Sequence, residues 1–107
     1  MDTALKALAE PRRREILKLV WSEERAAAEI AASFSDVTRS AISQHLGVLR
    51  EAELVLERRD GVRRIYKANH KQMERVRHFL EEYWTESLDR LRDLAETAER
   101  EKENTNG

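Results

Sequence analysis

The sequence contains no cysteine. That one absence excludes a disulfide framework, a thiolate metal site, a cysteine nucleophile and a thiol redox switch. With 3 glycines and 1 proline there is little material for a phosphate-cradling loop, and no Ser/His/Asp order or carboxylate pair appears, so no enzymatic activity and no cofactor are expected. Aromatics are only 6% of the chain, which leaves the core to aliphatic side chains. No apolar run approaches the ~20 residues that span a bilayer. Met1 leads into an amphipathic pattern rather than a signal peptide, so no membrane partner and a cytoplasmic location are expected. Charge of one sign is also missing, the formal net charge being -1.

What is present is charge in quantity, 38% of residues, with apolar residues recurring at helical spacing, which suits a helix-rich folded protein. At 107 residues the chain is one domain's worth and a candidate for burying more surface by dimerising. The charge balance hides an asymmetry. Residues 1–72 hold 14 Lys and Arg against 11 Asp and Glu, whereas residues 73–107 hold 6 against 10. Between Arg39 and Lys71 the count is 8 basic to 4 acidic, so a polyanionic partner is expected at the middle of the chain.

Ala4, Leu5 and Leu8 suggest a short first helix. Pro11 suits the first turn of a second, running roughly to Trp21, because its missing N–H would be unpaired there anyway. Ala26–Ser33 reads as a short third helix and Phe34-Ser35-Asp36-Val37 as a turn. Thr38 can then cap a fourth helix reaching about Ala52. In that helix Ile42, Leu46 and Leu49 form the buried stripe, which places Ser40, Ser43, Gln44 and Gly47 on the other side. Small and hydrogen-bonding groups there replace the Glu/Lys mixture of an ordinary solvated face, a surface suited to base edges. Leu54–Arg59 and Val62–Ala68 read as a hairpin around Asp60-Gly61, the only convincing β element, and it carries Arg58, Arg59, Arg63, Arg64 and Lys67. A last helix from about Met73 to Glu101 alternates its apolar residues near three and four apart, the seam of a helix that packs along another. At 1.5 Å per residue it extends roughly 43 Å, longer than so small a domain covers. Residues 1–102 are therefore read as a single domain for DNA binding and dimerisation, and 103–107 as a frayed polar tail.

A mainly α chain with helix, turn, helix and then a basic β-hairpin has the order of a winged helix-turn-helix module, in which the second helix of the pair enters the major groove. Three stretches resemble the ArsR family of bacterial winged-helix repressors. Ala7-Leu8-Ala9-Glu10-Pro11-Arg12-Arg13-Arg14-Glu15-Ile16-Leu17 is similar to its second-helix entry, and Ser40-Ala41-Ile42-Ser43-Gln44-His45-Leu46-Gly47-Val48-Leu49-Arg50 to its recognition helix. Arg58-Arg59-Asp60-Gly61-Val62-Arg63-Arg64-Ile65-Tyr66 is similar to its wing. Phe79–Leu91 is similar to the long C-terminal dimer helix of a metal-independent branch. Glu10 stands where an aspartate cap is usual, Glu53 where a helix end usually has glycine, and Gly47 where a basic residue is common.

The resemblance implies a homodimer formed by the first and last helices, on a pseudo-palindromic operator in double-stranded DNA. Expected DNA contacts are Thr38, Arg39, Ser40, Ser43, Gln44, His45, Arg50, Arg58, Arg59, Arg63 and Arg64. The expected dimer interface comprises Leu5, Leu8, Val76, Leu80, Tyr83, Trp84, Leu88 and Leu91. No metal sensor is expected, because the third helix offers Ala27-Ala28-Glu29-Ile30-Ala31-Ala32 where family sensors place cysteines, and the last helix lacks a tetrahedral N/S set. His70 and His78, with Glu74, Glu81 and Glu82, read as a solvated charged face. Some positions keep two readings: His45 for DNA contact or helix packing, Arg39 for phosphate or an ion pair with Asp36. Arg12-Arg13-Arg14 reads as a helix face with one arginine reaching a phosphate or an acid. Trp21, Tyr83 and Trp84 belong to core and interface rather than a ligand cage. The rival functions are a protein-interaction module built on the same scaffold and a regulator answering to a small molecule.

Overall fold

A computed structural model describes residues 1–103 in full and 104–106 by backbone alone. The residues expected as a frayed tail are helical in backbone as far as Asn106, and only Gly107 lies outside the described residues. The order is α1 (Asp2–Ala9), α2 (Pro11–Leu19), β1 (Arg25–Ala26), α3 (Ala27–Ala32), α4 (Arg39–Glu51), β2 (Val55–Asp60), β3 (Arg63–Ala68) and α5 (His70–Asn106). The chain divides into two compact units, Met1–Val76 and a second from Arg77 onward.

The first unit is a winged helix-turn-helix. Its core is aliphatic: Ile16, Ile30, Ile42, Leu46, Leu49 and Leu54 are fully buried, with Ala4, Ala7, Val20 and Tyr66 beside them. Each of the large side chains contributes about 1.5–3 kcal/mol by leaving water, and all three residues of the predicted α4 stripe are among them. Val76 is only 2% exposed and belongs to this core. It was expected at the dimer interface, and that expectation is corrected. The apolar seam of α5 begins while the helix is still covered by its own domain. Leu5 and Leu8 are half-buried against the same core and keep part of their surface free.

Helix ends follow the local chemistry. Pro11 occupies the first turn of α2, and the Thr38 hydroxyl accepts from the Ala41 N–H at 3.1 Å to cap α4. At the other end of α4, Leu54 N–H donates to the Leu49 carbonyl and Glu53 N–H to that of Arg50, both at 2.9 Å. These paired bonds reverse the chain through a left-handed residue, here Glu53 at φ 61 rather than the usual glycine. The long helix starts at His70, three residues ahead of the expected Met73, because Asn69 ends the sheet and begins the helix. Its side chain donates to the Glu53 carbonyl at 2.8 Å, while its own carbonyl accepts from Met73 N–H at 3.1 Å.

The hairpin is not the only β element. β1 pairs antiparallel with β3, giving a three-stranded sheet in the order β1-β3-β2. Two residues, one of them alanine, carry too little β preference to announce a strand. The hairpin turn also falls one residue later than expected: Asp60 pairs with Arg63, leaving Gly61-Val62 as the loop, with Gly61 at φ 65. Glycine alone at positive φ in the first loop position is the pattern of a II′ turn.

In the second unit α5 carries Leu80, Tyr83, Trp84, Leu88, Leu91 and Leu94, all exposed in the single chain. Among the described residues no helix is long and apolar enough to cross a membrane.

Candidate nucleic-acid interface

The α4 face opposite the core carries Ser40, Ser43 and Gln44, all exposed, with Gly47 half-buried. None of these side chains is used by the fold. Arg39 opens the helix, exposed and, among the described residues, in no ion pair. The expected alternative partner, Asp36, is taken by Arg12 at 2.6 Å, whose hydrogen bond holds the Asp36 carboxyl below the usual range. Arg12 also lies 5.0 Å above the Phe34 ring, tying α2 to the turn before α4.

The wing places its arginines on two different faces. Side chains alternate along a strand and directly opposed residues share a face, so the register puts Arg59 and Arg64 on the face that also carries Glu57 and Tyr66. The last turn of α4 lies on this face, since Arg50 donates to Glu57 at 2.8 Å. Burial pushes the Glu57 carboxyl up, but the bond and charge of Arg50, with the Tyr66 hydroxyl and the charge of Arg64, outweigh it and leave the carboxyl below its ordinary value. Tyr66 is pushed up by burial and by the neighbouring Glu57 charge.

Arg58 and Arg63 point to the other face, and both are already neutralised. Arg58 grips Glu24 with two donors at 2.5 and 3.0 Å, a bond that lowers the Glu24 carboxyl and raises Arg58. Arg63 donates to Glu29 at 2.9 Å, and the same carboxylate oxygen accepts from the Ala26 N–H that opens α3. Arg59 and Arg64, by contrast, sit directly opposite each other and form no ion pair among the described residues. Like charges opposed across a ladder weaken it. Within the fold only Arg64 is used, through its charge on Glu57 and its hydrogen bond with Tyr66, and an approaching polyanion would relieve the repulsion that remains.

Residues 10–56 match the model of the arsR family of bacterial regulatory proteins. The chain belongs to the ArsR family. It is 38% identical to the transcriptional regulator Rv2034 of Mycobacterium tuberculosis over 81% of this chain and 80% of that one. The transcriptional repressor SdpR of Bacillus subtilis is 35% identical over 64% of this chain and 76% of its own. Among solved structures, the homodimeric winged helix-turn-helix DNA-binding domain Mb0332 of Mycobacterium bovis superposes with a TM-score of 0.63 at 30% identity, over 79% of this chain and 78% of that one. As an ArsR-family protein the chain is a DNA-binding transcriptional regulator and not an enzyme.

Of the DNA contacts expected of this ArsR protein, the structure brings Arg39, Ser40, Ser43, Gln44, Arg59 and Arg64 to the surface outside any ion pair among the described residues. Thr38 is exposed, but its hydroxyl is occupied as a cap. Arg50, Arg58 and Arg63 are engaged in ion pairs. His45 is half-buried beside Arg13. The arginine run of α2 is not a simple solvated face: Arg13 and Arg14 reach back to carbonyls of α1, at 2.7 Å to Ala7 and 2.7 Å to Leu8. The hint in the sequence was that α1 ends without glycine, leaving its last carbonyls to be satisfied by something else. Among the described residues no group of His, Asp and Glu could hold a metal ion. His78 pairs with Glu82, and His70 stacks on Trp21 at 4.5 Å.

Proposed function

We propose that the protein acts as a homodimeric repressor that grips a pseudo-palindromic operator with two copies of α4 and two wings, without a metal sensor. The observation that carries this reading is the Arg59/Arg64 pair: two cations directly opposed, in no ion pair among the described residues, and on the sheet face shared with the end of a helix whose outer surface is Ser40, Ser43 and Gln44. Recognition helices related by a two-fold axis enter successive major grooves about 34 Å apart, and Gln44 pairs with adenine through both groups of its amide. The dimer is supported by α5, where Tyr83, Trp84 and Leu91 are each more than 60% exposed in the single chain. Such a row of apolar side chains asks for a cover, and a second copy of α5 offers the matching stripe. Absence of metal sensing is supported by the ligand-poor α3, and repression by the likeness to SdpR.

The test is a selection of genomic fragments by the full chain, followed by fluorescence anisotropy on the fragment recovered and by sedimentation. A two-fold symmetric site bound by two chains, with affinity unchanged by chelator, is the expected result. An asymmetric site bound by one chain contradicts it.

A further inference from the structure

Arg13 links two helices with one side chain. Its Nε donates to the Ala7 carbonyl at 2.7 Å and its Nη2 to the Lys6 carbonyl at 3.2 Å, both in the last turn of α1. Its Nη1 lies 3.4 Å from Nδ1 of His45, in the middle of α4. A guanidinium carries five donors and no acceptor. The contact to His45 is therefore a hydrogen bond with Nδ1 as acceptor, and a neutral imidazole with a bare Nδ1 carries its proton on Nε2.

Nε2 itself is unused by the protein. His45 is only half-buried, no hydrogen bond or ion pair engages that nitrogen, and no buried side-chain nitrogen or oxygen among the described residues lacks a partner. Nε2–H thus opens to solvent on the flank of the recognition helix, 100° around from Gln44. The third contact of Arg13 adds nothing to the satisfaction of α1, whose carbonyls at Lys6, Ala7 and Leu8 are already met by Arg13 and Arg14. What it does is hold one ring nitrogen, and so decide what the other presents.

We propose that Arg13 is a positioning residue for DNA recognition: by accepting its proton donor at Nδ1, His45 is fixed as an oriented Nε2–H donor to an acceptor on DNA, a phosphate oxygen or a base edge. This rests on the reading of α4 as the recognition helix. It adds a contact through a residue whose role the sequence left divided between packing and DNA.

Two isosteric replacements separate the two ends of the ring. His45→Asn keeps an acceptor near the position of Nδ1 and loses the distal donor; His45→Gln keeps a distal N–H and loses the near acceptor. On the selected operator, anisotropy is expected to show His45→Asn binding on the order of tenfold more weakly, and His45→Gln within about threefold of the parent, with unchanged thermal transitions for both. Arg13→Ala is expected to weaken binding in the parent and to add nothing in the His45→Asn background. Nitrogen NMR of the imidazole is expected to show the Nε2–H form in the parent and a mixture of forms in Arg13→Lys, a variant that keeps the charge without the fork. If the acceptor is a phosphate, His45→Asn weakens all sequences alike and lowers the salt dependence by about one ion per protomer; if it is a base edge, only the operator is affected. Parent-like operator binding by His45→Asn, or additive losses from Arg13→Ala and His45→Asn, overturns the proposal. Failure of the parent chain to bind DNA at all would instead overturn the recognition-helix reading on which it stands.

Discussion

The two faces of the wing are built from the same residue type and do different work. On one, Arg58 and Arg63 are held by Glu24 and Glu29 and brace the hairpin against the start of α3. On the other, Arg59 and Arg64 oppose each other outside any ion pair among the described residues, on the side where Arg50 at the end of α4 holds Glu57. A strand alternates its side chains, so neighbours in sequence are separated in purpose. A count of basic residues therefore overstates the charge left outside ion pairs, and the register decides which arginines those are.

Removing each arginine pair in turn separates the two faces. Arg59→Ala with Arg64→Ala should cost roughly 10- to 100-fold in DNA affinity at moderate salt, measured by anisotropy, since two phosphate contacts per protomer disappear. Arg58→Ala with Arg63→Ala should stay within about threefold on DNA and lower the thermal transition only slightly, as exposed ion pairs do. Gln44→Ala should remove discrimination at a single base pair, about 1–3 kcal/mol, and leave non-specific binding as it was. Freeing the braced pair by Glu24→Gln and Glu29→Gln should raise non-specific affinity by about two- to fivefold, more at low salt. No gain from that exchange would mean that Arg58 and Arg63 already reach the DNA.

Acid should loosen the hairpin on both faces. Glu24 and Glu57 lie below the ordinary carboxyl value, Glu24 through its bond to Arg58 and Glu57 because Arg50 outweighs its burial. Their contribution is thus fully present above the unfolded glutamate pKa of about 4.3 and is lost as pH falls through the lower folded value. Thermal transitions followed from pH 6 to pH 3 should drop less steeply in Arg50→Ala, Arg58→Ala than in the parent. The smallest effect concerns the residue between α4 and the wing. Glu53→Gly relieves a left-handed backbone and should stabilise the protein by about 0.5–1 kcal/mol, read by denaturant midpoint.

Much of this was legible before the structure. Ile42, Leu46 and Leu49 at i, i+4 and i+7 fix which side of α4 is buried, and hence which side is free. Pro11, Thr38 and Gly61 act locally, so their positions in a helix start, a cap and a turn follow from their own chemistry. What was not legible depends on contacts between distant residues. Arg58 with Glu24, and Arg13 with His45, are 34 and 32 residues apart, and no spacing rule brings them together. β1 is too short to carry a pattern, and its existence follows from the free edge of β3. Val76 was misplaced because an apolar seam looks the same whether its own domain or another chain covers it.

Only the Arg59/Arg64 face of the wing is expected to meet the phosphate backbone. The slope of log affinity against log salt concentration tests it most directly, measured for the parent and for the two double-alanine variants on the same DNA. Losing Arg59 and Arg64 should flatten the slope by about two per protomer, while losing Arg58 and Arg63 leaves it parallel to the parent. Equal flattening by both pairs, or flattening by Arg58 and Arg63 alone, would contradict it.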